Sequence, residues 1–147
     1  MPDPNLKIAA TVETWPIAGE FTIARGAKRE ATVVVAQVDD GTISGRGECV
    51  PYARYGDTVD GVRTAILSLQ GALSQRADLL NQLPHGAARN ALDCALWDYE
   101  AKRAGMSVAA LAGVAPLQSV TTAYTISLDT AEAMAAKAAV AARTMPL

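Results

Sequence analysis

Along the first third of the chain, apolar and polar residues alternate with the period of a half-buried strand. Between Lys7 and Trp15, the residues Ile8, Ala10 and Val12 fall on one face. Pro16 lacks a ladder donor and is expected to end that strand. The stretch from Ile17 to Arg29 contains glycine, carries three bases near its end and reads as a loop, although Phe21 and Ile23 could extend a strand into it. Glu30–Asp39 is rich in Val and Thr, which suits a pleated, half-buried surface. Asp39-Asp40-Gly41 is a hairpin turn, because glycine tolerates positive φ, and Thr42–Cys49 is the return strand. The region is therefore expected to be an antiparallel meander of about three strands.

The pattern then changes to helical spacing. From Asp57, which offers a cap, Val62, Ile66, Leu69 and Leu73 recur on one face of a helix expected to end near Ala77. From about Gly86, the residues Ala88, Ala91, Leu92, Ala95, Leu96 and Tyr99 share a face, and Gly105 is placed to stop the helix. A short helical turn is expected over Val108–Leu111, before Gly113 and Pro116. Val120–Leu128 reads as a strand with no turn partner beside it. Asp129-Thr130-Ala131-Glu132 resembles a capping box with Asp129 as cap, and Ala131, Met134, Ala135, Ala138 and Ala142 follow at helical spacing until Met145-Pro146-Leu147. Strand, helix and a fresh start is the opening of a βαβ unit. A parallel strand needs neighbours and cover on both faces, so the chain is expected to be an excerpt of a longer protein, cut at the second strand of a βα array. The alternative is that Val120–Leu128 joins the meander as an edge.

Composition narrows the class. The 147 residues are 50% hydrophobic and 19% charged, with a formal net charge of −2, which suits a folded domain with a core. Acids and bases are interspersed, so neither a nucleic-acid stripe nor a charged tail is indicated. The polar, Pro-rich start has no secretory pattern, and no run of about 18 apolar residues suggests a membrane span. The expected location is the cytoplasm, with Cys49 and Cys94 as buried reduced thiols. One His and no close Cys pair give no zinc site.

Few residues carry chemistry by themselves. Gly45-Arg46-Gly47-Glu48 lies inside a strand, and position 50 is Val where a dinucleotide fingerprint needs a third glycine. The two glycines instead suit close approach of another backbone. His85, beside Pro84, reads as a surface or helix-start residue. Asp93 and Asp98 are five apart on one helix and point to different sides, which favours structural hydrogen bonds or ion pairs over shared chelation. Arg25, Lys28 and Arg29 form either a solvated loop or a cover in which a base reads a carboxylate.

Three stretches together are recognisable: Gly45-Arg46-Gly47-Glu48-Cys49-Val50-Pro51-Tyr52-Ala53-Arg54-Tyr55-Gly56-Asp57-Thr58, Ala88-Arg89-Asn90-Ala91-Leu92-Asp93-Cys94-Ala95-Leu96-Trp97-Asp98-Tyr99-Glu100-Ala101-Lys102, and Thr121-Thr122-Ala123-Tyr124-Thr125-Ile126-Ser127-Leu128-Asp129-Thr130. In order and spacing they resemble the N-terminal half of enolase-superfamily proteins of the muconate-cycloisomerase group. The Val-Pro-Tyr-x-Arg-Tyr-Gly and Tyr-Thr-Ile-Ser stretches look most like dipeptide epimerases. The resemblance implies an α+β fold: a capping domain over residues 1–118, made of a three-stranded antiparallel meander plus helices, then over 119–147 the first βα unit of a modified TIM barrel. It implies a Mg²⁺-dependent inversion of an α-carbon in a dipeptide, through an enediolate, with two Lys and three carboxylate ligands that lie past Leu147.

On this resemblance the chain alone is expected to be inactive, with no catalytic or metal-ligating residue of its own. The substrate-side positions it does carry would be Thr125, at the end of the first barrel strand, with Arg25 reading a carboxylate and Phe21, Ile23 and Tyr55 as apolar lining. A homo-oligomer of the full-length protein is compatible with the same reading. Other members of the group (a cycloisomerase, an N-acylamino acid racemase, an o-succinylbenzoate synthase) and a non-catalytic binding module derived from the cap remain the alternatives.

Overall fold

The computed structural model describes residues 6–24, 26–73, 75–114 and 117–145. Three strands, β1 (Lys7–Ile23), β2 (Gly26–Asp39) and β3 (Ser44–Cys49), form one sheet in the order β1-β2-β3. β2 and β3 are antiparallel, with Val34 opposite Cys49 and Asp39 opposite Ser44. Their turn is built by two aspartates. Asp39 Oδ1 accepts from the Gly41 N–H at 2.6 Å, and Asp40 Oδ1 accepts from the N–H groups of Thr42 and Ile43, each at 2.8 Å. Gly41 has a φ of 91°, which a side chain would resist.

The first hairpin is longer than the sequence pattern suggests. β1 runs through Pro16, and most of the stretch expected as a loop is strand. Proline is tolerated on an edge strand, and β1 is one. β1 has a ladder partner on one side only. On its open side Gln70 donates to the Leu6 carbonyl and accepts from the Ile8 N–H, while Arg63 Nε donates to the Ala10 carbonyl. Leu6, Ile8 and Ala10 thus turn backbone polar groups toward that open side.

Helices follow: α1 (Val59–Leu67), α2 (Arg76–Gln82), α3 (Ala87–Ala104), α4 (Val108–Leu111) and α5 (Ala131–Thr144). Thr58 rather than Asp57 caps α1, its hydroxyl accepting from the Gly61 N–H at 3.0 Å. α1 also stops well short of Ala77. Ser68 turns its hydroxyl back onto the Ala65 carbonyl at 2.8 Å, and Gly71 follows in the left-handed region. Leu69 and Leu73 stay buried, so burial continues across a broken helix. α3 ends where expected, at a left-handed Gly105, and α4 occupies the residues expected of it. Thr130, not Asp129, caps α5 through the Ala133 N–H at 3.2 Å, whereas Asp129 accepts from the Thr130 N–H and from Lys137 Nζ.

The chain divides into two compact units. One takes in β1 up to Thr14 and the chain from Thr32 through α4; the other takes in Trp15–Ala31 and the chain from Leu117 onward. The first holds a core in which Ile8, Val34, Ala36, Val38 and Cys49 of the sheet meet Ile66, Leu79, Leu92, Leu96 and Tyr99 of the helices. β3 and α3 pack at unusually short range. A methyl at Gly47 would stand 2.6 Å from Ala95 N and 2.7 Å from Cys94 Cβ, and nearer still to the Ala91 carbonyl oxygen; Gly45 is just as tight against Ala95 and Tyr99. The close approach expected of these glycines is therefore to α3. Asp98 closes the same seam, accepting from the Arg46 N–H at 2.9 Å and Lys102 Nζ at 2.7 Å. Burial pushes its pKa up, but those two bonds prevail and the carboxyl sits below its ordinary value.

Two further expectations are overturned. Cys94 is exposed at the margin of the β3–α3 seam, although its Cβ borders Gly47, while Cys49 is buried with its thiol toward the Val34 carbonyl. Val120–Leu128 is in no strand of the structure. A ladder needs consecutive main-chain bonds, and this segment makes one to β1, from the Leu128 N–H to the Thr22 carbonyl at 2.8 Å.

Candidate functional site

The outer end of β1 and the segment before α5 lie in the same compact unit. Glu20 and Thr22 alternate with Phe21 and Ile23, so their carbonyls line one edge while the side chains of Phe21 and Ile23 share one face. Both carbonyls are engaged. Glu20 O accepts from the Ser127 hydroxyl at 3.2 Å, and Thr22 O accepts from the Leu128 N–H. The Glu20 carboxylate is tied across the hairpin to Arg29 Nε at 2.8 Å. Phe21 is half-buried, Ile23 is 39% exposed, and Thr125 is exposed two residues before Ser127. Three of the sequence-derived positions thus fall in this one unit. Arg25 lies outside the described residues.

Tyr55 belongs to the first unit. It ends a 3-10 turn, Ala53–Tyr55, closed by Gly56 at a φ of 82°. Its ring is 78% exposed and stands edge-on to Tyr52, with centroids 6.3 Å apart. Beside it opens a cleft of about 550 Å³, lined among others by Cys49, Tyr52, Asp57, His85 and Asn90. His85 is exposed just before the start of α3, as its place beside Pro84 suggests. Burial raises the Cys49 thiol to about 11, so it stays protonated and unreactive at neutral pH.

Of the three bases in the first hairpin, Arg29 pairs with Glu20 through its Nε while its side chain stays largely exposed. Ser127 ties the segment before α5 to β1 through its hydroxyl. The only sequence signal for it is that it shares the alternation of Thr125, and its partner is 107 residues away. Among the described residues, no group of three or more His, Cys, Asp or Glu could hold a metal ion. No helix of the described residues is long and apolar enough to cross a membrane.

A three-stranded antiparallel meander backed by a long helix, followed by an extended segment and a further helix, is an α+β arrangement. Residues 6–113 match the N-terminal domain of the mandelate racemase / muconate lactonizing enzyme family. The chain belongs to that family, within the enolase superfamily. It is 45% identical over 126 residues to the L-Ala-D/L-Glu epimerase of Escherichia coli K12, covering 84% of this chain and 39% of that protein. It is 38% identical over 107 residues to the N-acetyl-D-glutamate racemase of a Pseudoalteromonas species, covering 69% of this chain and 34% of the relative. Among solved structures, an enolase family member from Agrobacterium tumefaciens with homology to dipeptide epimerases, holding sodium and L-Ala-L-Glu, superposes with a TM-score of 0.88 at 45% identity, over 94% of this chain and 43% of that one. Dipeptide epimerases from Methylococcus capsulatus and Enterococcus faecalis, each complexed with Mg and a dipeptide, share the fold at a TM-score of 0.81 with 24% and 22% identity. The chain thus spans about two fifths of the length of these relatives.

Proposed function

We propose that this chain is the substrate-side portion of a dipeptide epimerase, with residues 1–118 as its cap and 119–147 as the opening of its barrel. The observation that carries this reading is the 45% identity with the Escherichia coli L-Ala-D/L-Glu epimerase over 126 residues. The Agrobacterium relative that holds L-Ala-L-Glu supports a short dipeptide as the ligand. The reaction inverts a carbon beside a carboxylate or amide carbonyl by taking its proton from one face and returning one on the other.

The described residues do not form a metal site, so no step is assigned to a metal held by this chain. On this reading Mg²⁺ and the acid–base pair belong to the remainder of the full-length protein. What this chain supplies is recognition. Thr125 contacts the dipeptide, Phe21, Ile23 and Tyr55 give it apolar surface, and Arg25 pairs with a carboxylate.

The test is a dipeptide panel incubated with the full-length protein in D₂O, read as deuterium entering the α-position. Exchange into Ala-Glu is expected, and none by the 147-residue chain alone. No exchange into any dipeptide removes the reading. A second reading, N-acylamino acid racemase, is favoured by the 38% identity with the N-acetyl-D-glutamate racemase. Faster exchange into N-acetylglutamate than into every dipeptide selects it.

A further inference from the structure

We propose that Ser127 is a positioning residue: its hydroxyl seats the outer end of β1, with Phe21 and Ile23, on the segment that carries Thr125, and so sets the affinity for substrate. The consequence for substrate rests on the epimerase reading above; the seating itself does not. β1 is an edge strand, and its outward carbonyls must find donors or face water. At Glu20 and Thr22 the donors come from one short segment, Ser127 through its side chain and Leu128 through its main chain. The two acceptors are two residues apart and so point the same way, and the two donors are adjacent. Ser127 and Leu128 therefore dock as one unit along the open edge.

Glu20 is fixed from a second direction, since Arg29 Nε holds its carboxylate at 2.8 Å and Thr22 Oγ1 lies 3.5 Å from it. Phe21 sits between the two bonded residues, so its backbone is held on both sides. Of the two docking bonds, the one from Ser127 is the one a side-chain substitution can remove. Thr125 lies two residues upstream on the same segment. A looser seat changes where Phe21 and Ile23 stand relative to Thr125 without touching any group that exchanges a proton, which is the signature of altered binding and not of altered chemistry.

The test compares wild type, Ser127→Ala and Ser127→Thr in the full-length protein. The reporter is the Leu128 amide, which donates to Thr22 and exchanges with solvent only when the seat opens. Ser127→Ala is expected to speed Leu128 exchange by about fivefold, the factor one neutral hydrogen bond supplies. KM for Ala-Glu should rise by a similar factor while kcat stays at the wild-type value. Ser127→Thr, which keeps the hydroxyl, should restore both. Unchanged Leu128 exchange in Ser127→Ala overturns the proposal, and so does faster exchange with an unchanged KM. A wild-type protein that turns over no dipeptide defeats the epimerase reading instead, and Leu128 exchange then decides the seating by itself.

Discussion

Gly47→Ala tests whether the seam between β3 and α3 is as tight as its geometry indicates. The added methyl carbon would lie 2.6 Å from Ala95 N and 2.7 Å from Cys94 Cβ. Carbon contacts in a packed core sit at about 3.5–4 Å, so α3 must withdraw by roughly 1 Å. The atoms in the way include backbone of a helix that buries Ala91, Leu92, Ala95, Leu96 and Tyr99, and backbone cannot rotate aside. Overpacking of this kind costs about 3 kcal/mol, the upper end of the usual range. Gly47 has no positive φ, so alanine fits its backbone and offsets about 0.7 kcal/mol through the unfolded chain. The net destabilisation is about 2 kcal/mol, a fall in Tm of roughly 10 °C for a unit of about 100 residues. Thermal unfolding followed by far-UV circular dichroism, with urea midpoints as a second measure, reads it. Gly41→Ala is the control: its methyl meets nothing within 4 Å, so only the positive φ resists it, at about 1 kcal/mol. A Gly47→Ala protein as stable as wild type would show that α3 does not rest on β3 at this distance.

Alkaline pH should destabilise the first unit. Burial raises Cys49 from 9.0 to about 11, and burial with the hydrogen bond to Asp40 raises Tyr99 from 10.0 to about 12. Both folded values lie above the unfolded ones, so this stability is complete below pH 9 and is lost as pH rises through 9–12. Cys49→Ala should remove the portion between pH 9 and 11 in melts recorded across that range. On the acid side, the N–H groups of Ile43 and Thr42 and the Tyr99 hydroxyl hold Asp40 below its ordinary 3.8. Its contribution is present above that value and disappears as pH falls below it; Asp40→Asn should flatten this limb. Arg76 stacks on the Trp97 ring at 3.6 Å and reaches Glu100 at 3.4 Å; Arg76→Ala should cost about 1 kcal/mol in urea unfolding, and Arg76→Lys should recover little of it because the planar stack is lost. Thr130→Ala should weaken α5 by about 1 kcal/mol, seen as faster amide exchange in its first turn, and unchanged exchange there would tell against Thr130 as the cap.

What could be read in advance was whatever depends on neighbours in sequence. The limits of α4, the stop of α3 at Gly105 and the Asp39-Asp40-Gly41 turn are local, and so is the alternation of Gly45 and Gly47 that signals a close partner. What escaped depends on direction and distance. Pro16 looks like a strand breaker until β1 is seen to be an edge strand, where proline is tolerated. The burial period of Leu69 and Leu73 continues after Ser68 and Gly71 have ended the helix. Cap position slipped by one residue at both α1 and α5, where Asp57-Thr58 and Asp129-Thr130 each offer two candidates. Val120–Leu128 has the composition of a strand but lacks the neighbours that would make it one. The contact of Ser127 has no local signal, because its partner Glu20 is 107 residues away.

The two bonds from residues 127 and 128 to β1 also bear on how this protein can be rebuilt. A designer would be tempted to transplant the first hairpin from one relative into another as a self-contained cassette. Its carbonyls at positions 20 and 22 are already committed to a strip of chain more than a hundred residues downstream. A graft that moves residues 15–31 without residues 125–128 leaves that docking to chance, so the two pieces are better inherited together from the same parent.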